Sequence, residues 1–380
     1  MKMDVTTREN LFDLENKLTR LHNLSGHYNI EMRLARNLRS DFFCESRLAA
    51  LLATAGRHHN LTVSDWHREW NDDEIEAHYR TSLVGIAAVL HSDRLTNDRG
   101  TDLPESREAL FERIGIAGGL LEPREGGHRG KSITFCAFDP NWSEPAAFSG
   151  TLNQPELFKN LLRRYRRKYL EIGEGVAHTD ITREADDRLG DFIFELYQNT
   201  YEHGRLTSDD EPPRGMRYLR LRKYLDRKEH YIARSEGFEE LRAYLDAVVP
   251  EGETFKFYEV TVSDNGLGMI TRFLKTRPDF LRRPDSTEDC VTLVNELLTT
   301  PLTSKRDFPG AGYGLPRALD AISRLHGFIS LRTDGLWLYG HSAQDDVALP
   351  KSGLRSVAST PELGAIVGTH FNILLPLRIG

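Results

Sequence analysis

The chain has 380 residues, of which 39% are hydrophobic and 28% are charged, and its formal net charge at pH 7 is −7. This length predicts about two or three domains, with cores large enough to fold without disulfides or structural metals. The ordinary composition excludes a collagen-like, coiled-coil or wholly disordered chain. The acidic balance argues against a general nucleic-acid-binding protein, which needs a basic surface.

Hydrophobic runs and cysteines give expectations about location. The longest apolar candidate, around Leu83–Leu90, is far shorter than the ~20 residues of a membrane-spanning helix. The first ten residues, MKMDVTTREN, lack the apolar segment of a signal peptide. Cys44, Cys136 and Cys290 lie far apart, without redox or metal-ligand spacing. We therefore expect a cytoplasmic protein with neither structural zinc nor membrane association.

The first half of the chain has the pattern of an α/β domain. Leucines at three- and four-residue spacing predict an amphipathic helix over residues 4–24, and a second helix is expected over 41–58. Residues 81–90 are expected to be buried, and 132–138 to form a strand. We assign residues 1–150 to an N-terminal α/β domain of unrecognised fold that serves partner recognition or regulation.

A connecting segment over 151–174 contains a strongly amphipathic helix at 155–172. One face of this helix carries Arg163, Arg164, Arg166, Arg167 and Lys168. Such a face can bind nucleic acid, phosphate or an acidic partner, or it can simply be solvated. The solvated face is the favoured interpretation, because charged faces of this kind are common.

The second half alternates helices and strands with several antiparallel connections. Helices are expected over 182–204, 237–248, 284–298 and 314–326. Strands are expected over 216–222, 254–264, 328–333, 336–340 and 369–376.

The first chemical motif lies on the helix over 182–204. Glu195, Asn199 and His203 are spaced by four residues, so all three side chains project from one helical face. The amide oxygen of Asn199 suits Mg²⁺, and Glu195 could deprotonate a water or hydroxyl nucleophile beside that ion. The alternative is a polar stripe at the exposed edge of the helix.

The second motif, SDNGLGM at 263–269, follows immediately after FYEVTV and overlaps the end of the strand expected over 254–264. Asp264 at the strand end suits an exocyclic amine such as that of adenine, while Gly266 and Gly268 permit close approach of the backbone to a ligand. An ordinary Asp-Asn-Gly turn is the alternative.

The third motif, GAGYGL, contains Gly310, Gly312 and Gly314 and leads through Leu315 into a helix. Exposed amides at a helix N-terminus favour anions, and glycines remove the steric barrier to a phosphate. The polar stretch 299–309, which includes Lys305, has the composition of a mobile lid.

The order of these motifs, followed by GTHF at 368–371, closely resembles the GHKL ATPase superfamily over residues 175–380. The helical motif is most similar to that of the anti-sigma serine kinases. The resemblance implies a Bergerat fold, in which helices cover one face of a mixed sheet. It also implies ATP and Mg²⁺ as cofactors and an ATP lid near 270–314. An inserted helix near 223–250 and the long N-terminal part depart from the short anti-sigma kinases.

The resemblance assigns roles to matched positions. Asn199 would bind Mg²⁺, Asp264 would accept the adenine amine and Glu195 would be the general base. Thr369 would support Asp264. The remaining matched positions are expected to line the nucleotide: His203, Gly266, Gly268, Met269, Gly310, Gly312, Gly314 and Leu315. Lys305 is also expected to contact phosphate. This expectation comes from its place in the polar stretch 299–309 and not from a matched motif, because lid residues vary.

We expect a slow ATPase whose nucleotide state and lid closure gate binding of a protein partner. One alternative is a protein serine/threonine kinase acting on a STAS-like partner, and another is a non-catalytic ATP-sensing scaffold. A histidine kinase is disfavoured, because none of the 14 histidines lies in a phosphoacceptor motif. A homodimer remains open, and nucleic acid is a minor alternative because of the basic helix.

Overall fold

The computed structural model describes residues 1–35, 38, 41–65, 82–103, 120–121, 131–138, 148–151, 153–172, 183–204, 215–280, 282–300, 314–342, 349, 353–358 and 363–377. These residues form an α/β fold with two parts. One part is built on a four-stranded parallel sheet and the other on an eight-stranded antiparallel sheet.

The first part alternates strands and helices. Its elements are β1 (Lys2–Val5), α1 (Leu11–His22), β2 (Asn29–Leu34), α2 (Cys44–His58), β3 (Asn60–Ser64), α3 (Leu83–His91) and β4 (Arg94–Thr96). The strands lie in the order β1-β2-β3-β4, and each neighbouring pair is parallel. Because parallel crossovers are right-handed, this sequential order places the connecting helices on one face of the sheet.

The start of the first helix differs from the sequence prediction. Residues 2–5 form the strand β1, although the helix was predicted to begin at residue 4. The helix begins only after Asn10. The Asn10 side chain accepts from the Asp13 amide at 3.0 Å, and the Asp13 carboxylate accepts from the Asn10 amide at 2.9 Å. This reciprocal capping box ends the preceding loop and starts α1.

The parallel sheet has one buried and one polar face. Buried positions alternate along the strands and include Met3, Val5, Ile30, Met32, Leu61 and Val63. The positions between them are mostly polar and include the exposed Lys2, Asp4, Asn29, Arg33 and Asn60. This alternation is typical of a sheet that is covered by helices on one side only.

The second part contains the remaining elements. They are β5 (Leu120–Leu121), β6 (Lys131–Phe138), α4 (Pro155–Tyr165) with a π-helical turn at Arg166–Leu170, α5 (Arg183–His203), β7 (Met216–Arg227), α6 (Lys228–Arg234), α7 (Glu239–Val248), β8 (Thr254–Asp264), α8 (Met269–Thr276), α9 (Thr287–Thr299), α10 (Gly314–Arg324), β9 (Phe328–Asp334), β10 (Leu336–His341), β11 (Arg355–Ser356) and β12 (Ile366–Leu377). One inserted helix was expected near 223–250. Strand β7 instead continues to Arg227, and two helices, α6 and α7, follow it.

The large sheet has the strand order β11-β10-β9-β12-β8-β7-β6-β5. Every neighbouring pair among the described strands is antiparallel, so the mixed sheet implied by the resemblance is corrected to an antiparallel one. The division at residue 150 does not follow the sheets either. Strand β6, at 131–138, pairs along its whole length with β7 of the second part.

Both faces of the large sheet are covered, rather than one. On one face, α5 residues such as Phe192 and Ile193 share a core with Leu219 and Val260 of the sheet. On the other face, a second core joins the helices of the first part to the sheet through residues such as Leu48, Leu51, Tyr218, Phe257 and Trp337. Apolar side chains on both sides of β7 and β8 require two covering layers.

Two arginines on the basic face of the connecting helix form ion pairs with aspartates of α5. Arg163 donates to Asp186 at 2.8 Å and also pairs with Asp187, at the start of α5. Arg166 is 1% exposed and pairs with Asp186. These ion pairs link α4 and the π-helical turn to α5, so the favoured interpretation of a solvated basic face is wrong at Arg163 and Arg166.

All three cysteines, Cys44, Cys136 and Cys290, are free. Burial raises the pKa of the Cys136 thiol to about 12. Among the residues that the structure describes, no helix is both long and apolar enough to cross a membrane.

Candidate functional site

The SDNGLGM motif forms the end of β8 and the loop that follows it. Asp264 is the last residue of β8 and pairs in register with Thr369 of β12. Its side chain is only 5% exposed, and its Oδ1 atom accepts a hydrogen bond from the Gly266 amide at 2.8 Å. The predicted position of Asp264 at a strand end is confirmed. Its carboxyl group is held inside the protein by its own loop, which we call the base loop (residues 264–268).

The C-terminal end of α5 lies directly against the base loop. A Cβ atom on Gly204 would lie 2.6 Å from the Asp264 Cβ, and a Cβ on Gly266 would lie 2.8 Å from the Gly204 Cα. Both positions therefore require glycine for this approach. The helical motif and the SDNGLGM motif, far apart in sequence, meet here.

Asn199 and Glu195 lie on α5 before this contact, and both are half-buried. With a rise of about 1.5 Å per residue, they lie about 7.5 Å and about 13.5 Å along the helix from Gly204. The predicted helical spacing of Glu195, Asn199 and His203 is confirmed, since all three belong to α5.

The far end of the base loop is held by β9. Gly268 has a φ of +90°, and a Cβ there would lie 2.8 Å from the Asp334 carboxylate. That carboxylate accepts from the Ile270 amide at 3.0 Å, and the Thr333 hydroxyl accepts from the Met269 amide at 2.8 Å. These bonds satisfy free amides at the start of α8. Strand β9 therefore positions Met269. At position 268, a residue other than glycine would have a strained backbone and would collide with Asp334.

Thr369 lies beside Asp264, as the GTHF motif predicted. It is half-buried, and its hydroxyl lies 3.3 Å from that of Thr333. Gly368, with a φ of +82°, lies against the backbone of Asp264, and a Cβ there would overlap the Asp264 carbonyl oxygen. The backbones of Gly368 and Asp264 thus approach each other closely at the candidate site.

The electrostatics of the site centre on Asp264. Burial raises the pKa of this carboxyl to about 7, against the opposing effects of the Gly266 and Thr369 amides and of Arg57 and Arg217. Arg217 is fully buried, with its guanidinium 4.3 Å from the centroid of the Tyr201 ring on α5. The hydrogen bond from the Gly266 amide to Asp264 is that of an Asx turn. Carboxyl groups whose pKa is raised by burial are also enriched at functional sites.

The elevated pKa of Asp264 predicts a pH dependence of stability. The folded protein keeps this proton up to about pH 7, whereas the unfolded chain releases it near the usual value of 3.8. The folded state binds more protons in this window, so the free energy of unfolding should fall as pH rises from about 4 to about 7. Urea denaturation across this range should show that Asp264→Asn lacks this pH-dependent part of the free energy of unfolding, which is at most about 4 kcal/mol. Parallel pH profiles for the two proteins would contradict the assignment.

Several predicted residues fall outside the description. Lys305, Gly310 and Gly312 lie outside the described residues, as does the side chain of His203. Gly314 opens α10, and Leu315 in its first turn is half-buried. Helix α10 packs beside α5, where Arg188 lies 3.7 Å from Asp320. The described residues therefore include the surroundings of Asp264 and helix α5, but not the stretch that contains Lys305, Gly310 and Gly312.

The described residues also test the fit of the implied cofactors. No group of three His, Cys, Asp or Glu side chains among them could hold a metal ion. Mg²⁺ would therefore have to be held through few protein ligands, such as Asn199, together with phosphate and water. The Oδ1 atom of Asn265 is buried without a hydrogen-bond partner in the described part of the chain. The base loop thus offers a buried carboxyl and an unsatisfied acceptor, which fit a ligand that donates hydrogen bonds.

Sequence reasoning missed one residue that contacts this site from the first part. The guanidinium of Arg57, in the last turn of α2, donates to the carbonyls of Asn265 and Gly266. The two contacts span 209 and 208 residues of sequence, so no local pattern could have indicated them.

Comparisons with protein-family models, with curated proteins and with solved structures found no match.

Proposed function

We propose that the chain binds ATP with Mg²⁺ in the manner of GHKL proteins, hydrolyses it slowly and uses its nucleotide state to gate a protein partner. The observation that carries the proposal is the meeting of three separate sequence motifs at Asp264. Gly204, which directly follows His203 of the helical motif, Gly266 of the base loop and Gly368 of the GTHF motif all closely approach this one residue. Independent short motifs that converge on one buried carboxyl favour a shared ligand.

In this proposal Asp264 recognises the base. The ionised carboxylate accepts from the exocyclic amine of adenine, while Oδ1 keeps its bond from the Gly266 amide. Burial strengthens that interaction, because a hydrogen bond to a charged acceptor gains strength where water is excluded. Thr369 supports the carboxyl from β12 through its backbone amide.

The phosphates would extend toward the middle of α5. Asn199 would hold Mg²⁺ by its amide oxygen, and the bound ion would neutralise phosphate charge. Glu195, one turn earlier on the same face, would orient a water molecule and take up its proton. Lys305 and the glycines Gly310, Gly312 and Gly314 belong to the proposed lid over the phosphates.

Replacing Glu195 separates catalysis from binding. Glu195→Gln should lower phosphate release from ATP by at least about 100-fold while the dissociation constant for ATP changes less than about threefold, because the base acts on water and not on the nucleotide. Phosphate release and nucleotide binding should be measured on the same preparations. Glu184→Gln, at an exposed position in the first turn of α5, is the matched control. Unchanged turnover in Glu195→Gln would contradict the proposed role.

The same assay separates the alternatives. Transfer of label from γ-labelled ATP to a co-purifying protein, rather than to water, would favour a serine/threonine kinase with a STAS-like partner. Nucleotide binding without turnover in either protein would favour an ATP-sensing scaffold.

The partner is proposed to bind the first part of the protein. The outer face of its sheet carries exposed charged and polar side chains, including Lys2, Asp4, Arg33 and Arg94, which suit a polar protein surface. A cytoplasmic location and a homodimer belong to the same proposal. The three free cysteines are consistent with a reducing compartment.

A further inference from the structure

Helix α2 reaches from the first part of the protein to the base loop. The Nη2 atom of Arg57 donates to the carbonyl of Asn265 at 2.6 Å, and Nη1 donates to the carbonyl of Gly266 at 3.2 Å. Both acceptors are buried backbone groups of the loop that carries Asp264. One guanidinium therefore fixes two successive peptide units, which its planar, rigid arrangement of donors allows.

A stripe of polar side chains on α2 aligns the helix with β12. The Ser46 hydroxyl donates to the Asn372 side chain at 2.8 Å, and the Thr54 hydroxyl accepts from the Val367 amide at 3.2 Å. Ser46, Thr54 and Arg57 lie on one helical face, since they are spaced by eight and then three residues. The helix therefore follows β12 to the point where Gly368 lies against Asp264, and Arg57 completes the contact.

Helix α3 also packs against the C-terminal end of α2. Gly56 packs so closely on α3 that a Cβ there would overlap the carbonyl oxygen of His91. The amide of His59 donates to the Ala55 carbonyl and closes the last turn. A displacement of α3 within the first part would therefore move the turn that carries Arg57, because close-packed elements cannot yield independently.

The charge of Arg57 also acts on Asp264. Burial lowers the pKa of Arg57, whereas the Asp264 carboxylate raises it. Arg217, on β7, is the other cation that favours ionised Asp264. On α2, the next residue is His58, whose pKa is lowered first by burial and then by Arg57, His59, His22 and His27. Arg57 thus favours the ionised carboxylate that can accept a hydrogen bond.

We propose that Arg57 is a positioning residue through which the first part of the protein controls base recognition at Asp264. This inference rests on the proposed binding of adenine nucleotide. Arg57 holds the base loop in the conformation that presents the carboxylate, so nucleotide affinity depends on where α2 sits. A partner that moves α2 relative to β12 changes that affinity, and by reciprocity bound nucleotide changes the affinity for the partner.

The test compares Arg57→Gln and Arg57→Lys with wild type and with Arg20→Gln, which changes an exposed arginine in the last turn of α1. Dissociation constants are measured for fluorescent analogues of ATP and GTP. Arg57→Gln should weaken ATP binding by about tenfold or more and GTP binding by less, so the preference for adenine falls. Arg57→Lys, which restores the charge but not the double contact, should give an intermediate preference. Arg20→Gln should match wild type.

The outcomes discriminate between a positioning role and general stabilisation. Equal weakening of ATP and GTP, with lysine no better than glutamine, would overturn the inference, and so would unchanged binding in Arg57→Gln. Wild-type protein that binds no adenine nucleotide would overturn the proposed function itself, together with this inference. Hydrogen exchange adds a readout that needs no nucleotide. The amides of residues 265–268 should exchange faster in Arg57→Gln than in Arg20→Gln, and equal exchange would count against the role of Arg57.

Discussion

Replacing Asp264 with asparagine is expected to abolish the binding of adenine nucleotide, weakening it by at least about 100-fold, while the protein remains folded. An asparagine can keep the acceptor that the Gly266 amide uses, but it turns the second oxygen into a donor. That donor would face the donating amine of adenine inside a buried site, where an unmade hydrogen bond costs most. Binding of a fluorescent ATP analogue measures the loss.

The stability of this variant makes the result interpretable. Removing a carboxyl that burial makes costly to ionise should leave the variant at least as stable as wild type at about pH 8, since wild-type Asp264 is ionised there. Asp246→Asn, which changes an exposed partner of Lys228, is the control and should bind nucleotide normally. Retained ATP affinity in a folded Asp264→Asn protein would refute the resemblance on which the proposed function rests.

The largest effect on stability is expected for Gly368→Ala. A Cβ at this position would overlap the Asp264 carbonyl oxygen, and the φ of +82° is a backbone conformation that alanine rarely adopts. Strands β8 and β12 would have to separate at the end of their pairing, beside Asp264, which should cost about 3 kcal/mol or more of unfolding free energy. Chemical denaturation of the variant and of wild type measures this difference in unfolding free energy.

Gly252→Ala is the matched control for this change. Gly252 has a similar φ of +75°, but no atom lies within 4 Å of the Cβ position, so the control carries the backbone strain without the collision. We expect it to cost about 1 kcal/mol. Equal costs at the two positions would mean that the close approach of Gly368 to Asp264 is not needed for the fold.

Much of the local structure could be predicted because the signals are local. The helix over 182–204 and the strand over 254–264 follow from the spacing of their own apolar residues, and both are confirmed to within a residue or so. The helix predicted over 4–24 is wrong at its start. Residues 2–5 also alternate, but their pairing with β2, more than twenty residues away, decides for a strand.

The candidate site divides in the same way. The positions of Asp264, Gly266 and Gly268 after a strand, and of Glu195 and Asn199 on a helix, were readable from short motifs with defined geometry. Arg57 was not, because its role depends on two hydrogen bonds that span more than two hundred residues. The elevated pKa of Asp264 was equally hidden, since it arises from burial by segments that the sequence near Asp264 does not contain.

Composition and periodicity were therefore enough for an α/β protein with two parts and for the order of its motifs. Tertiary packing alone decided that β6 joins the second sheet, that both faces of this sheet are covered, and that α2 of the first part ends on the base loop. Period and turn chemistry are encoded within a few neighbouring residues. The cover of a sheet face and the partner of a buried carbonyl depend on which distant surfaces exclude water from one another.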